Sequence, residues 1–236
     1  MQMFLHSGLE VTDKDLVFDA EESKHMVKVL RHQAGDQINI GNTRGLVATA
    51  TITQANPKAC IVRIENTTQY PEPIMKIHIA IAPTKQMERL EWFVEKATEL
   101  GVACISPIIC HHSERKALRI DRLEKRRDAA IKQSLSYFGV LIEPEQSFND
   151  FLNQDFSETD CYIAHCNHDI PDHLIKVTSI YKKSVVLIGP EGDFSPDEVL
   201  MALEHGFKPI SLGSQRLRTE TAGIAAVQIL SLKAIL

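Results

Sequence analysis

The chain has 236 residues, a net charge of −5 and 44% hydrophobic residues, which fits a globular protein of one or two domains with a substantial core. No apolar run reaches the length of a membrane span or resembles a signal peptide, and the five cysteines form no C-x-x-C pair, so reduced thiols in a cytoplasm are expected. The acidic balance argues against a uniformly basic nucleic-acid binder, and any such role must rest on clustered basic residues.

Residues up to about Tyr70 read as a small β-rich unit. Asp19, with Glu22 three residues on, begins a short helix carrying Lys24, Lys28 and Arg31. Their spacings of four and three put all three on one face of an α-helix, with Val27 and Leu30 on another. Residues 36–41 alternate and end in a glycine turn, and 46–53 and 59–64 are β-branched runs separated by Asn56-Pro57. Short strands with polar turns predict a small barrel. Pro71-Glu72-Pro73 is a linker, giving expected domains at 1–70 and 74–236.

From Ile74 the pattern alternates strand and helix, the signature of a parallel sheet. Strands are expected at 76–82, 102–109, 140–142 and 161–164, and helices at 88–100, 121–136, 148–152 and 172–181. A second basic cluster runs through Arg115, Lys116, Arg119, Arg122, Lys125, Arg126, Arg127 and Lys132, interrupted by acids. Its favoured reading is a solvated helix face. Cys110-His111-His112 and His165-Cys166-Asn167-His168 lack zinc-finger spacing, so no metal is expected. Ser-His-Asp chemistry has no G-x-S-x-G anchor.

The end of the chain carries the most specific pattern. An apolar strand, 185–188, stops at Gly189-Pro190-Glu191-Gly192. Ser195-Pro196-Asp197-Glu198 then reads as a capping box opening a helix that runs to His205 and closes at Gly206. The echo is Ile210-Ser211-Leu212-Gly213, followed by Leu217-Arg218-Thr219-Glu220-Thr221, where Thr219 is the expected cap of a helix reaching the C-terminus. Two successive strand–glycine–helix units set two loops side by side at the carboxyl edge of a sheet, where α/β proteins bind ligands. Neither loop reads G-x-G-x-x-G or G-x-x-x-x-G-K-[ST], which leaves dinucleotide and triphosphate cradles without their usual support.

Gly-Pro-Glu-Gly, followed by Leu-Gly and Leu-Arg-Thr-Glu-Thr-Ala, resembles the cofactor site of the SPOUT methyltransferases. It is most similar to the RsmE-type enzymes, which methylate N3 of a uridine in small-subunit ribosomal RNA. The resemblance extends through Lys85, the stretch Arg89 to Trp92, the stretch Glu95 to Val102, Pro107, the stretch Ser113 to Lys116 and Gln133-Ser134. His25 to Arg31 with Gly35-Asp36 is similar to the family's opening PUA-like RNA-binding domain. The fold class it implies is α/β: a C-terminal SPOUT trefoil-knot domain with a parallel sheet, after a small N-terminal PUA-like β-barrel. It also implies S-adenosylmethionine as cofactor, a homodimer, and 16S ribosomal RNA within the assembled 30S subunit as substrate. Two departures stand out. Asp193 replaces a second glycine, and Leu135 to Gly139 replaces a Gly-Arg pair whose arginine Arg126 or Arg127 would have to supply.

Methyl transfer from a sulfonium is an in-line displacement, so positioning is expected to supply most of the rate. By the resemblance Leu187, Ile188, Gly189, Glu191, Gly192, Leu212, Gly213, Leu217, Arg218 and Thr219 form the cofactor cradle; for the apolar members, plain core packing is the competing role. Arg218 would stabilise negative charge developing on the uracil carbonyls, against a salt bridge to Glu220 or to a neighbouring subunit. Glu191 and Glu220 are the candidate bases, against loop and helix orientation. Lys24, Lys28, Arg31, Arg115, Lys116, Arg126 and Arg127 are the expected RNA contacts. N3 lies on the Watson–Crick edge, so the target base must be unpaired or extruded. A SPOUT enzyme acting on another RNA and a non-catalytic RNA-binding module are the alternatives.

Overall fold

The structure, a computed structural model, describes residues 3–165, 172–179 and 183–235. They fall into two compact units, Met1–Glu72 with Ile131–Gly139, and Pro73–Ala130 with Val140–Leu236. No helix among the described residues is long and apolar enough to cross a membrane.

The first unit is a curled five-stranded sheet in the order β1-β3-β4-β5-β2. Its strands are β1 (Met3–Leu5), β2 (Asp15–Val17), β3 (Gln37–Gly41), β4 (Leu46–Gln54) and β5 (Ile61–Gln69). β1 runs parallel to β3 and the other pairings are antiparallel. Register shifts in β4 against β5, at Thr49/Ala50 and Ile52/Gln54, bend the sheet around its apolar face. Phe4, Ile38, Ile40, Ala48, Ile52 and Val62 fill that face. Residues 131–139, expected in the second domain, group here instead. The Gly45 amide bonds the Tyr137 carbonyl at 2.9 Å, and the Tyr70 and Tyr137 rings stack with centroids 3.9 Å apart.

Helix α1 (Ala20–Lys24) starts at the expected cap, the Asp19 carboxylate accepting the Glu22 amide at 2.8 Å. It does not continue as α-helix. His25–Val29 is a π turn, in which the Leu30 amide reaches the His25 carbonyl, five residues back, at 3.0 Å. Arg31 then enters the left-handed region with φ of 61°. The wider turn puts later residues out of phase with Lys24, so the single α-helical face expected for Lys24, Lys28 and Arg31 does not form. All three are exposed.

The second unit has a parallel sheet in the order β12-β10-β11-β6-β7-β8, with β9 also paired to β7. In chain order its elements are β6 (Ile77–Ile81), α2 (Met87–Glu99), β7 (Cys104–Ile109), α3 (Ile120–Ser134), β8 (Leu141–Ile142), β9 (Gln146–Ser147) and α4 (Phe148–Leu152). They continue with β10 (Thr159–Ala164), α5 (Leu174–Val177), β11 (Lys183–Ile188), α6 (Pro196–Glu204), β12 (Lys208–Ile210) and α7 (Thr219–Lys233). Of the helix expected at 172–181, the described residues form only α5, and 180–182 lie outside them. Both sheet faces are covered, as a parallel sheet requires. One face packs Ile77, Ile79 and Ile81 with α2 and α7, and the other packs Ala80, Val185 and Leu187 with α4 and α6. Helices α2 and α7 meet so closely at Gly223 that a β-carbon there would lie 2.5 Å from the Phe93 ring.

Candidate active site

β11 and β12 flank β10 at the carboxyl edge of the sheet, and the loop after each contributes to one site. After β11, Gly189 has little room for a side chain, because a β-carbon would sit 3.1 Å from the Phe194 ring and 3.2 Å from its amide nitrogen. At Gly192 it would meet His112 Cβ at 3.0 Å. Asp193 then takes a left-handed conformation, φ 64°, and its carboxylate accepts the Phe194 amide at 2.8 Å. Aspartate tolerates this backbone better than most residues because its side chain bonds locally. The conformation explains how aspartate stands where the resemblance leads one to expect glycine. The capping box that opens α6 is complete: the Ser195 hydroxyl accepts the Glu198 amide at 3.2 Å, and the Glu198 carboxylate accepts the Ser195 amide at 2.8 Å.

The second loop departs from expectation at Leu212 and Thr219. β12 ends at Ile210, so Leu212 lies beyond the strand and packs, partly buried, against the core shared with α2 and α7. Gly213 is exposed, with φ of 138°, a backbone that side chains rarely allow. Thr219 does not cap α7, whose N-cap is Arg218 without a side-chain cap bond. The buried Thr219 hydroxyl instead donates to the Gly189 carbonyl at 3.0 Å. That bond ties the start of the last helix to the end of β11 and closes the two loops into one structure.

Between them lies a cleft of about 310 Å³, within the range of small-molecule sites. Ile188, Gly189, Glu191, Leu217, Arg218 and Thr219, all expected in the site, line it together. Leu187, Gly192, Leu212, Gly213 and Glu220 do not. Leu187 points into the core on the α4 and α6 side, because successive residues of a strand face opposite ways. The cleft also takes Ala164, Pro190, Asp193, Arg216 and Ala222. Ala222, three residues after Thr219 on α7, was within reach of helical spacing. Ala164 was not, since it needs the strand order that inserts β10 between β11 and β12.

The two candidate carboxylates differ. Glu191 is exposed at the cleft; its Oε1 accepts the Lys85 amide at 3.0 Å, and its carbonyl accepts from Arg216 at 3.3 Å. Glu220 is buried, pairs with Arg89 at 3.9 Å, and leaves Oε2 without a hydrogen-bond partner. Arg218 is exposed and makes no ion pair among the described residues, so the competing role of a bridge to Glu220 falls to Arg89 instead.

The basic residues of this unit are mostly committed. Arg115 donates to the Thr84 and Lys85 carbonyls at 3.3 and 2.9 Å, holding the loop that reaches Glu191. Arg126 pairs with Glu91 at 3.4 Å and Glu95 at 3.9 Å, and Arg122 with Glu91 at 2.6 Å. Arg127 bonds Asp128 at 2.8 Å and the Val140 carbonyl at 3.2 Å. Lys116 alone of the expected contacts here is exposed with no such tie among the described residues. The histidines after β7 serve the loop: His112 Nδ1 lies 3.0 Å from the Asp193 carbonyl, and the His111 amide donates to Glu198 at 2.7 Å. Burial pushes the neighbouring Cys110 thiol well above its usual range. Residues 166–168 of the other histidine-cysteine stretch lie outside the described residues.

Residues 71–231 match the family described as an RNA methyltransferase domain, and residues 18–65 match an RNA methyltransferase PUA domain. Ribosomal RNA small subunit methyltransferase E of Bacillus subtilis is 30% identical over 230 residues, covering 89% of this chain and 87% of the relative. Among solved structures, a probable rRNA-methyltransferase from Porphyromonas gingivalis is 37% identical with a TM-score of 0.86, covering 97% of this chain and 96% of its own. Ribosomal RNA small subunit methyltransferase E from Neisseria gonorrhoeae, bound to S-adenosyl methionine, is 25% identical with a TM-score of 0.81, covering 96% and 95%.

Proposed function

The chain belongs to the ribosomal RNA small subunit methyltransferase E family, and from that premise we propose that it methylates N3 of a uridine in 16S ribosomal RNA within the assembled 30S subunit. It is an S-adenosylmethionine-dependent rRNA methyltransferase. The cofactor site in this reading is supported above all by the Thr219–Gly189 bond, which holds both loops around one cleft.

The residues present suit the cofactor. A cleft walled by Ile188, Leu217, Ala164 and Ala222, and narrowed by no side chain at Gly189, offers apolar surface to a nucleoside. S-adenosylmethionine, when bound, supplies an electrophilic methyl group. The chain supplies position and charge. Arg218, exposed at the cleft, stabilises the negative charge that grows on the uracil carbonyls as the N3 proton leaves. Glu191, which lines the cleft and accepts the Lys85 amide, takes that proton in this reading. Glu220, outside the cleft, orients the start of α7 through Arg89. Lys24, Lys28, Arg31 and Lys116 contact phosphate, while Arg115, Arg126 and Arg127 hold the fold. The homodimer and the trefoil knot belong to the same proposal.

Calorimetric titration of S-adenosylmethionine into wild type and Gly189→Val tests the site. Valine at Gly189 drives its side chain into Phe194, so binding should be lost while α-helical circular dichroism persists. Binding that survives in the variant would move the cofactor elsewhere. For the substrate, 16S RNA from a deletion strain should lack N3-methyluridine and regain it with the wild-type gene.

A further inference from the structure

One side-chain cluster lies on the sheet but takes no part in the cleft. Alternation along β6 sends Ile77, Ile79 and Ile81 into the core with α2 and α7. It turns His78 to the other face, where its ring meets Phe151 edge-on at 5.6 Å. Cys104 is the register partner of His78 on neighbouring β7, and Ser106 follows on the same face. Glu143 comes just after β8, its amide bonded to the Ile105 carbonyl at 2.9 Å. Three strands in sequence across the sheet thus present an imidazole nitrogen, a thiol sulfur and a carboxylate oxygen, all partly buried and within 4.8 Å of one another. The Ser106 hydroxyl sits among them, 2.6 Å from His78 Nε2 and 4.0 Å from Cys104 Sγ, and donates to Glu143.

We propose that His78, Cys104 and Glu143 form a binding site for a zinc-class divalent ion at the amino-terminal edge of the sheet, the end opposite the methyl-transfer cleft. The ligand types select the ion: thiolate, imidazole and carboxylate together suit zinc, whereas magnesium and calcium favour oxygen alone. Hydrogen-bonded strands hold the backbone of all three ligands, and the ion takes the place of the hydrogen bonds that the Ser106 hydroxyl makes to His78 and Glu143. A neutral imidazole has a lone pair to donate to the ion. Binding forms a metal–sulfur bond as the thiol proton leaves to solvent. Gln146 donates to Glu143 at 3.3 Å and steadies the carboxylate from outside.

Metal-free full-length protein titrated with Co²⁺ provides the test. One ion per chain should bind with near-ultraviolet thiolate-to-cobalt absorption, and Zn²⁺ should displace it and raise the melting temperature. Cys104→Ser should abolish the absorption, Glu143→Gln should weaken affinity at least about tenfold, and Cys110→Ser, beside His111 and His112, should change neither. No absorption in wild type would overturn the site and leave Ser106 as the centre of a self-contained hydrogen-bond network. A signal that survives Cys104→Ser, or vanishes with Cys110→Ser, would overturn it equally. Should Cys104→Ser fail to fold in circular dichroism, Glu143→Gln decides: affinity equal to wild type rejects the assignment.

Discussion

Two basic segments of this chain look alike on paper and serve different ends. Lys24, Lys28 and Arg31 stand exposed, with no ion pair among the described residues. Arg122, Arg126 and Arg127, in an equally dense run, are drawn onto Glu91, Glu95, Asp128 and the Val140 carbonyl. The difference comes from what the fold sets opposite each. Helix α2 carries its acids toward α3, and Glu91 is only 4% exposed, so a carboxylate that has lost most of its water needs those guanidinium groups. A basic run therefore reports on nucleic acid only after its internal partners are subtracted.

That contrast can be broken by substitution. The largest effect is expected from Arg122→Ala with Arg126→Ala, which leaves the Glu91 carboxylate buried without its partners. The loss should be roughly 2 kcal/mol in urea unfolding, less than for a fully enclosed pair because both arginines are half exposed. An unchanged midpoint would mean that α2 does not depend on them. Next comes Lys24→Ala with Lys28→Ala and Arg31→Ala, which should leave stability within about 0.5 kcal/mol. The same triple variant should weaken binding to 30S subunits about tenfold and lower the salt slope by up to about 3. Wild-type affinity in that variant would remove the segment from the RNA contact. The smallest effect belongs to Lys116→Ala, a fall in the salt slope of about 1 with no change in unfolding; a clear loss of stability instead would place Lys116 with its committed neighbours.

Features written in a few adjacent residues were legible in the sequence. Both caps, at Asp19 and Ser195, and the glycine ends of the two loops depend on local geometry, and they stand where spacing puts them. Features that depend on distant partners were not. β1 is three residues long and exists because β3 lies beside it. Thr219 resembles a helix cap by position, yet its hydroxyl is claimed by Gly189, thirty residues earlier in the chain. The π turn at His25 defeats a face drawn at α-helical pitch. Of the cradle, Ile188, Gly189 and Glu191 come together with Leu217, Arg218 and Thr219, whereas Leu187 and Leu212 are taken by cores that only the assembled sheet defines.

The strand order also has a consequence for synthesis. β6 lies between β7, its near neighbour in the chain, and β11, whose Ile188 pairs with Ile81 roughly a hundred residues later. At 5–20 residues per second the ribosome needs roughly 5–20 s to deliver that partner. Until then the apolar edge of Ile77–Ile81 has no strand to satisfy it, which is the situation in which nascent chains recruit chaperones or misassociate. A pause in translation between β7 and β11 should therefore lower the yield of folded protein, whereas a pause within the first seventy residues should not.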